Sequence, residues 1–206
     1  MRQDAPAYHR NKQPMLDVLQ SALPKTPLKI IEIASGSGQH GPFFTSQINN
    51  LTWWPTDISN AALTSINAWQ QHISATAIQP ATFLDVTEEQ WILGQPIDGL
   101  PNQADAILSM NMIHIAPYAA TKGLLAGASK RLSANGLLIL YGPFKQHGVT
   151  FAPSNQSFDI SLKSRNPQWG IRQLEDVEAI ANIHNLFLKQ IFNLPANNLA
   201  VVFEKT

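Results

Sequence analysis

Near the start of the chain an apolar run ends in Glu32-Ile33-Ala34-Ser35-Gly36-Ser37-Gly38. Glycines at this spacing let a backbone approach a ligand closely and reach positive φ. Two more carboxylates follow, Asp57 after the apolar run Leu51 to Thr56 and Asp85 after Ala81 to Leu84. A carboxylate accepts several hydrogen bonds, so Asp57 suits the paired hydroxyls of a ribose. Glu32 sits near the end of an apolar run, where an ionised carboxylate is costly unless paired. Asn111-Met112-Ile113-His114 follows a fourth run, and Tyr141 closes a fifth. His114 has the chemistry of a general base for an oxygen or nitrogen nucleophile, and equally that of a hydrogen-bonded histidine where a helix begins. Tyr141 would orient a substrate or pack in the core.

Such residues need strands to carry them. Leu28–Ala34, Leu51–Thr56, Ala81–Leu84, Ala104–Met110 and Gly136–Tyr141 read as five strands. Helical spacing between and before them predicts helices over Pro14–Leu23, Gln39–Ile48, Asn60–His72 and Ala119–Leu132. Pro14 would stand in a first turn, where its missing N–H is tolerated. The alternation indicates a parallel sheet covered on both faces. A helix over Glu175–Asn185 and strands over Leu188–Leu194 and Leu199–Glu204 follow. The short Pro195-Ala196-Asn197-Asn198 connection makes the last two an antiparallel hairpin. Between the parallel part and these elements lies Phe144 to Arg172, which is polar and expected to be loop-like. It holds Lys145, Asn155, Phe158, Asp159, Trp169 and Arg172, the candidate substrate-binding groups of a lid. A rigid loop held by Phe158 and Trp169 fits the same residues.

Two ligands compete for the glycine loop. Gly36-Ser37-Gly38-Gln39-His40-Gly41 matches the G-x-G-x-x-G dinucleotide pattern. The stretch from Glu32 to Gly38 also resembles the acidic-x-Gly-x-Gly-x-Gly loop of class I methyltransferases, with Ala34 in place of the first glycine. Asp57 serves a ribose in either case. Glu32 and Asp85 discriminate: carboxylates suit a sulfonium cofactor, whereas Glu32 would repel a pyrophosphate. Plainer roles stay open. The glycines fit a tight turn, Glu32 fits a structural pairing with the first helix, and Asp57 and Asp85 fit helix caps.

Composition narrows the partners. The 206 residues carry 14 basic and 14 acidic groups, so no bulk attraction to nucleic acid or an anionic membrane is expected. The absence of cysteine excludes disulfides, thiolate metal sites and a cysteine nucleophile. His9, His40, His72, His114, His147 and His184 show no metal-binding spacing, and no metal is expected. No signal-like or membrane-spanning run occurs, so a cytoplasmic protein is the expectation. The oligomeric state is open.

Longer segments carry a further likeness. Arg10-Asn11-Lys12-Gln13-Pro14-Met15-Leu16, Glu32 through His40, Leu51-Thr52-Trp53-Trp54-Pro55-Thr56-Asp57 and Leu84-Asp85-Val86-Thr87 occur in order. Asn111-Met112-Ile113-His114-Ile115-Ala116-Pro117, Leu140-Tyr141-Gly142-Pro143-Phe144-Lys145, Ala152-Pro153-Ser154-Asn155 and Pro195-Ala196-Asn197-Asn198 follow. Over nearly its whole length the chain resembles the methyltransferase-like 26 family. The length points to one domain over residues 1–206, and the polar segment 144–172 to a lid inserted in it. The resemblance implies the Rossmann-like class I methyltransferase fold: a seven-stranded, mostly parallel α/β sheet with an antiparallel C-terminal hairpin and helices on both faces. It makes Ala34 a family feature and implies S-adenosylmethionine as cofactor.

On this reading Glu32, Ala34, Ser35, Gly36, Gly38, Asp57, Asp85, Val86, Asn111 and Met112 would hold the cofactor. Arg10 and Asn11 would fold over its methionine end, Arg10 pairing with the carboxylate or remaining on the surface. His114 and Tyr141 would serve catalysis on a small-molecule acceptor. The family supplies neither acceptor nor catalytic residues. A non-catalytic S-adenosylmethionine-binding or partner protein, and an NAD-dependent oxidoreductase, are the alternatives.

Overall fold

The computed structural model describes residues 1–73 and 76–206. The first helix, α1 (Pro6–Ala22), starts eight residues earlier than its apolar pattern suggests and carries Pro14 in its interior. Pro6 takes the first-turn place instead. Pro14 has no N–H to give the Arg10 carbonyl. The helix survives because Asn11, Met15, Val18 and Leu19 form one buried stripe against the sheet.

The elements that follow are β1 (Leu28–Ile33), α2 (His40–Gln47), β2 (Leu51–Asp57), α3 (Asn60–His72) and a two-residue β3 (Thr82–Phe83). Then come the short α4 (Glu89–Ile92), β4 (Ala104–Met110), α5 (Tyr118–Arg131) and β5 (Leu132–Gly142). The chain closes with α7 (Leu174–Ile183), β8 (Leu186–Leu194) and β9 (Asn198–Lys205). Seven strands form one sheet in the order β3-β2-β1-β4-β5-β9-β8. The first five are parallel, and β9 runs antiparallel to both β5 and β8. This is the sheet expected from the sequence, edge hairpin included.

The central strands β1, β4, β5 and β9 are buried on both sides, with side chains alternating between two cores. Ile31 and Ile33 of β1, Ile107 of β4, Leu138 and Leu140 of β5, and Val201 and Phe203 of β9 pack with α5 and α7. Leu28 and Ile30, Ala106 and Leu108, Leu137 and Ile139, and Ala200 and Val202 pack on the other face with α1 and Phe44 of α2. The chain leaves β1 for β2 and β3, then crosses back to place β4 on the opposite side of β1. That reversal opens a crevice beyond the C-terminal ends of the strands.

The segment expected to be loop-like is ordered. Phe144–Lys145 (β6) pairs in parallel with Arg172–Gln173 (β7), and α6 (Pro153–Arg165) lies between them. Among the described residues no helix is long and apolar enough to cross a membrane.

Candidate active site

β1 delivers the chain into a turn built on its neighbour β2. The Ser35 N–H donates to the Thr56 carbonyl at 2.8 Å, and the Thr56 N–H donates to Ser35 Oγ at 3.2 Å. The Gly36 N–H donates to Asp57 Oδ2 at 2.9 Å. Ala34 takes φ 57°, where a glycine would carry no side-chain penalty. The two glycines differ in what they leave room for. A Cβ on Gly38 would lie 2.5 Å from the Ile66 backbone, so Gly38 permits α3 to dock. A Cβ on Gly36 would meet nothing within 4 Å, because Gly36 faces open space.

That space is a cavity of about 400 Å³ at the ends of β1, β2, β3 and β4. Ala34, Gly36, Asp57 and Asp85 line one part of it, and Leu84, Val86, Met110 and Met112 supply apolar wall. Asp57 is only 8% exposed, and its Oδ1 accepts the Ser59 N–H at 2.9 Å. Asp85 Oδ1 accepts the N–H and hydroxyl of Thr87 at 2.8 and 2.7 Å. Both carboxylates therefore shape turns and still face the cavity. Ser35 is committed to β2 and lines neither this cavity nor the next one.

Glu32 is turned away from the cavity. It is buried, and its Oε2 accepts the indole N–H of Trp53 at 3.0 Å. Burial raises its pKa to about 7, against the opposing hydrogen bonds from Trp53 and Ser35. The expected contact with a cationic ligand group is replaced by this indole bond across the β1–β2 pair.

A second cavity, about 730 Å³, adjoins the first at Ile115, which lines both. Arg10, Asn11, Asn111, His114, Tyr141 and Phe158 contribute to its wall. The exit of β4 divides its side chains between the two: Met112 goes to the first cavity and Asn111 to the second. Asn111 does this at φ 59°, with its N–H donating to the Tyr141 carbonyl at 2.8 Å. His114 is 2% exposed and packs edge-on to Phe158. Its Nδ1 is buried without a partner among the described residues, pressed against the Gly142 backbone. Burial lowers the ring's pKa to about 4, and the nearby Arg172 adds to the effect. Burial raises the Tyr141 pKa, with Arg10 and Asn11 opposing the rise. Asn11 is fixed by His40, whose Nε2 lies 2.8 Å from its Oδ1.

Of the residues expected to meet a substrate, Asn155 and Phe158 line the second cavity; Lys145, Asp159 and Trp169 line neither. Asp159 is saturated by Lys145 at 2.9 Å, Lys163 at 2.7 Å and the Ile171 N–H at 2.7 Å. Burial alone would raise its pKa, but these three bonds together hold it below the usual range. It is the anchor that ties α6 to β6 and to the strand preceding α7. Trp169 sits under the Arg165 guanidinium at 5.7 Å. Arg172 donates to the Ile113 carbonyl at 2.9 Å and to the Ala116 carbonyl at 2.6 Å, bracing the turn that presents His114.

Three participants escaped the sequence reading. Ile115 joins the cavities. Arg165 reaches the second cavity from the far end of α6, seven residues beyond Phe158, a spacing that would have shown it had α6 been recognised. Gln39 straps the N-terminal segment over the glycine loop: its Oε1 accepts the Ala5 N–H at 2.8 Å, and its Nε2 donates to Asp4 at 2.7 Å.

Comparison with known proteins gives a family and a fold. The model of the family described as "Protein of unknown function (DUF938)" matches residues 2–205. Among solved structures, a putative O-methyltransferase from Nostoc punctiforme PCC 73102 is similar at TM-score 0.77 and 17% identity, covering 94% of this chain and 55% of that one. Human N-acetylserotonin methyltransferase, solved in complex with S-adenosylmethionine, matches at TM-score 0.72 and 14% identity, covering 97% and 52%. A putative sarcosine dimethylglycine methyltransferase from Galdieria sulphuraria matches at 0.73 and 13%, covering 95% and 85%. The chain spans about half the length of most of the structures it resembles. At such identities the likeness shows the fold, which is that of the class I methyltransferases.

Proposed function

The chain belongs to the family described as "Protein of unknown function (DUF938)", and from that premise we propose that it is an S-adenosylmethionine-dependent methyltransferase acting on a small-molecule acceptor. The resemblance to the methyltransferase-like 26 family belongs to the same proposal. The observation that carries it is the pair of adjoining cavities at the C-terminal ends of the strands, one lined by carboxylates and apolar wall, the other by His114 and Tyr141.

The first cavity fits the cofactor. Asp57 accepts one hydrogen bond each from the Gly36 and Ser59 N–H groups and keeps lone pairs for two ribose hydroxyls. Leu84, Val86 and Met112 suit a flat base, with Asp85 at its edge. The open side of Gly36 lets backbone approach the ligand. Glu32 would act from beneath, holding Trp53 under the loop. Arg10 and Asn11 would meet the methionine end from the second cavity. The antiparallel edge hairpin argues against a dinucleotide enzyme.

S-adenosylmethionine, when bound, supplies the electrophilic methyl group and its own leaving group. What remains for the chain is alignment and exclusion of water. Asn111 and Tyr141 would orient the acceptor. His114 is neutral at pH 7, and Nε2 is the ring nitrogen left to receive a proton. A base this weak takes the proton only as bond formation acidifies the nucleophile. Residues 144–172 would cover the acceptor through Asn155 and Phe158. The depressed basicity of His114 also favours a second reading, a cofactor-binding partner protein without turnover.

Calorimetric titration with S-adenosylmethionine and S-adenosylhomocysteine tests the first step. Binding in the micromolar range is expected, and no heat at high micromolar concentration would reject the proposal. Transfer of labelled methyl to any acceptor in a broad panel separates the enzyme from the partner protein.

A further inference from the structure

We infer that the acceptor is an anion, an aromatic or short aliphatic body ending in a carboxylate or phosphate, held by the guanidinium of Arg165. This rests on the methyltransferase reading above and names the substrate class of that site.

The second cavity is lined by Arg10 and Arg165, and among the described residues no Asp or Glu lines it. The contrast with the first cavity, which holds Asp57 and Asp85, is set in a chain of zero net charge. Neither arginine has a carboxylate partner among the described residues. Arg165 donates only to the Ser161 carbonyl of its own helix, through Nε at 3.3 Å, and lies over the Trp169 ring. Its terminal nitrogens are left for a ligand, in the planar fork that matches carboxylate and phosphate oxygens.

The remaining wall selects the body. Ile115, Pro143, Phe158 and Pro195 are apolar, while Asn111 and Asn155 place neutral polar groups between them. On α6, Asn155, Phe158, Leu162 and Arg165 recur at helical spacing on one side. Phe158 touches the His114 ring. Arg165 is seven residues further on, about 10 Å along the axis, and helical side chains lean back toward the N-terminus. The anion and the atom facing His114 are therefore separated by less than about 10 Å. Arg10 lies on the other side, next to Tyr141 and Asn11, where the methionine carboxylate of the cofactor would also be met. Arg165 is thus the residue that distinguishes acceptor from cofactor.

The test uses one ring with different charges. The full chain, with and without saturating S-adenosylhomocysteine, is titrated with 4-hydroxyphenylacetate, 4-hydroxyphenyl phosphate, 4-hydroxyphenylacetamide and tyramine. The anions are expected to bind about tenfold or more tightly than the amide, and tyramine more weakly still. The tighter anion decides between carboxylate and phosphate. Arg165→Gln is expected to abolish the preference, and Arg165→Lys, which keeps charge but loses the fork, to keep part of it. Equal binding of amide and anions, no binding of any probe at millimolar concentration, or a preference that survives Arg165→Gln overturns the inference. If the variant fails to fold, the charge series on the unmodified chain still decides. A chain that takes S-adenosylhomocysteine without discriminating among probes leaves the methyltransferase reading intact and removes only this one. A chain that takes the anions but not S-adenosylhomocysteine removes the methyltransferase reading and the acceptor role with it.

Discussion

The carboxylate of Asp57, at the end of β2, accepts the backbone N–H of Gly36 at 2.9 Å, across the gap between two parallel strands. One residue thus both folds the loop and faces the cavity it borders. Asp57→Ala is expected to weaken S-adenosylhomocysteine binding about tenfold or more, the loss of charge-assisted hydrogen bonds. Titration alongside circular dichroism checks it. Unchanged affinity would reduce Asp57 to a turn-former.

Gly36 and Gly38 should fail in different ways. Gly38→Ala puts a Cβ 2.5 Å from the Ile66 backbone at φ +81°, so it is expected to destabilise the fold by about 2 kcal/mol or more. Gly36→Ala has open space and pays only for φ +58°, about 1 kcal/mol. It should fold and lose ligand affinity, because its Cβ enters the cavity. Thermal melts and titrations of the two variants separate the effects. Equal loss of stability would contradict the assignment.

Glu32 should make stability fall toward alkaline pH. Its folded pKa of about 7 lies above its ordinary 4.5, so the native state holds the proton more tightly. The contribution is fully present below about pH 4.5 and is lost as pH rises through about 7. Glu32→Gln keeps an acceptor for Trp53 and removes the titration. It is expected to gain on the order of 1–3 kcal/mol over the unmodified chain at pH 8. Denaturant melts from pH 4 to pH 8 test this, and a variant destabilised at every pH would refute it.

His114 acts in the opposite direction. Its folded pKa of about 4 lies below the ordinary 6.5, so the contribution of the neutral ring is present above 6.5 and is lost as pH falls toward 4. If His114 is the base, the acid limb of the pH–rate profile lies near 4, and the rate is flat from pH 6 to 8. His114→Gln is expected to lower kcat roughly a hundredfold. An acid limb near 6.5 would exclude His114 in this role.

Much of the frame was readable from the chain. The bounds of α3 and β4 match their patterns because each is a regular segment with a clear stop: Ser59 caps α3 through the Ala62 N–H, and β4 is buried almost throughout. α6 was missed for an equally physical reason. Its buried positions are Asn155, Asp159 and Leu162, two of them polar, so no apolar period marks it. The helix is held by ion pairs from Lys145 and Lys163 rather than by a greasy face. Pro14 misplaced the start of α1, because a proline inside a helix is tolerated only where packing outweighs the lost bond.

The site was legible at the strand ends and illegible in its pairings. Asp57, Asp85, Asn111 and Met112 fall where a parallel sheet must put them. The bond from Trp53 to Glu32 and the strap from Gln39 to Asp4 join residues 21 and 35 positions apart. Nothing in local spacing chooses such partners.

The position of β9 between β5 and β8 sets an order of assembly during synthesis. β5 lies next to β4 in the sheet, yet its other edge, from Leu137 to Gly142, waits for the strand ending at Lys205. Ala200, Val201, Val202 and Phe203 complete both cores. A nascent chain halted before them would present an apolar strand with unpaired backbone groups, a surface prone to aggregation. The second edge of β5 is therefore paired only once synthesis has run some sixty positions beyond Gly142.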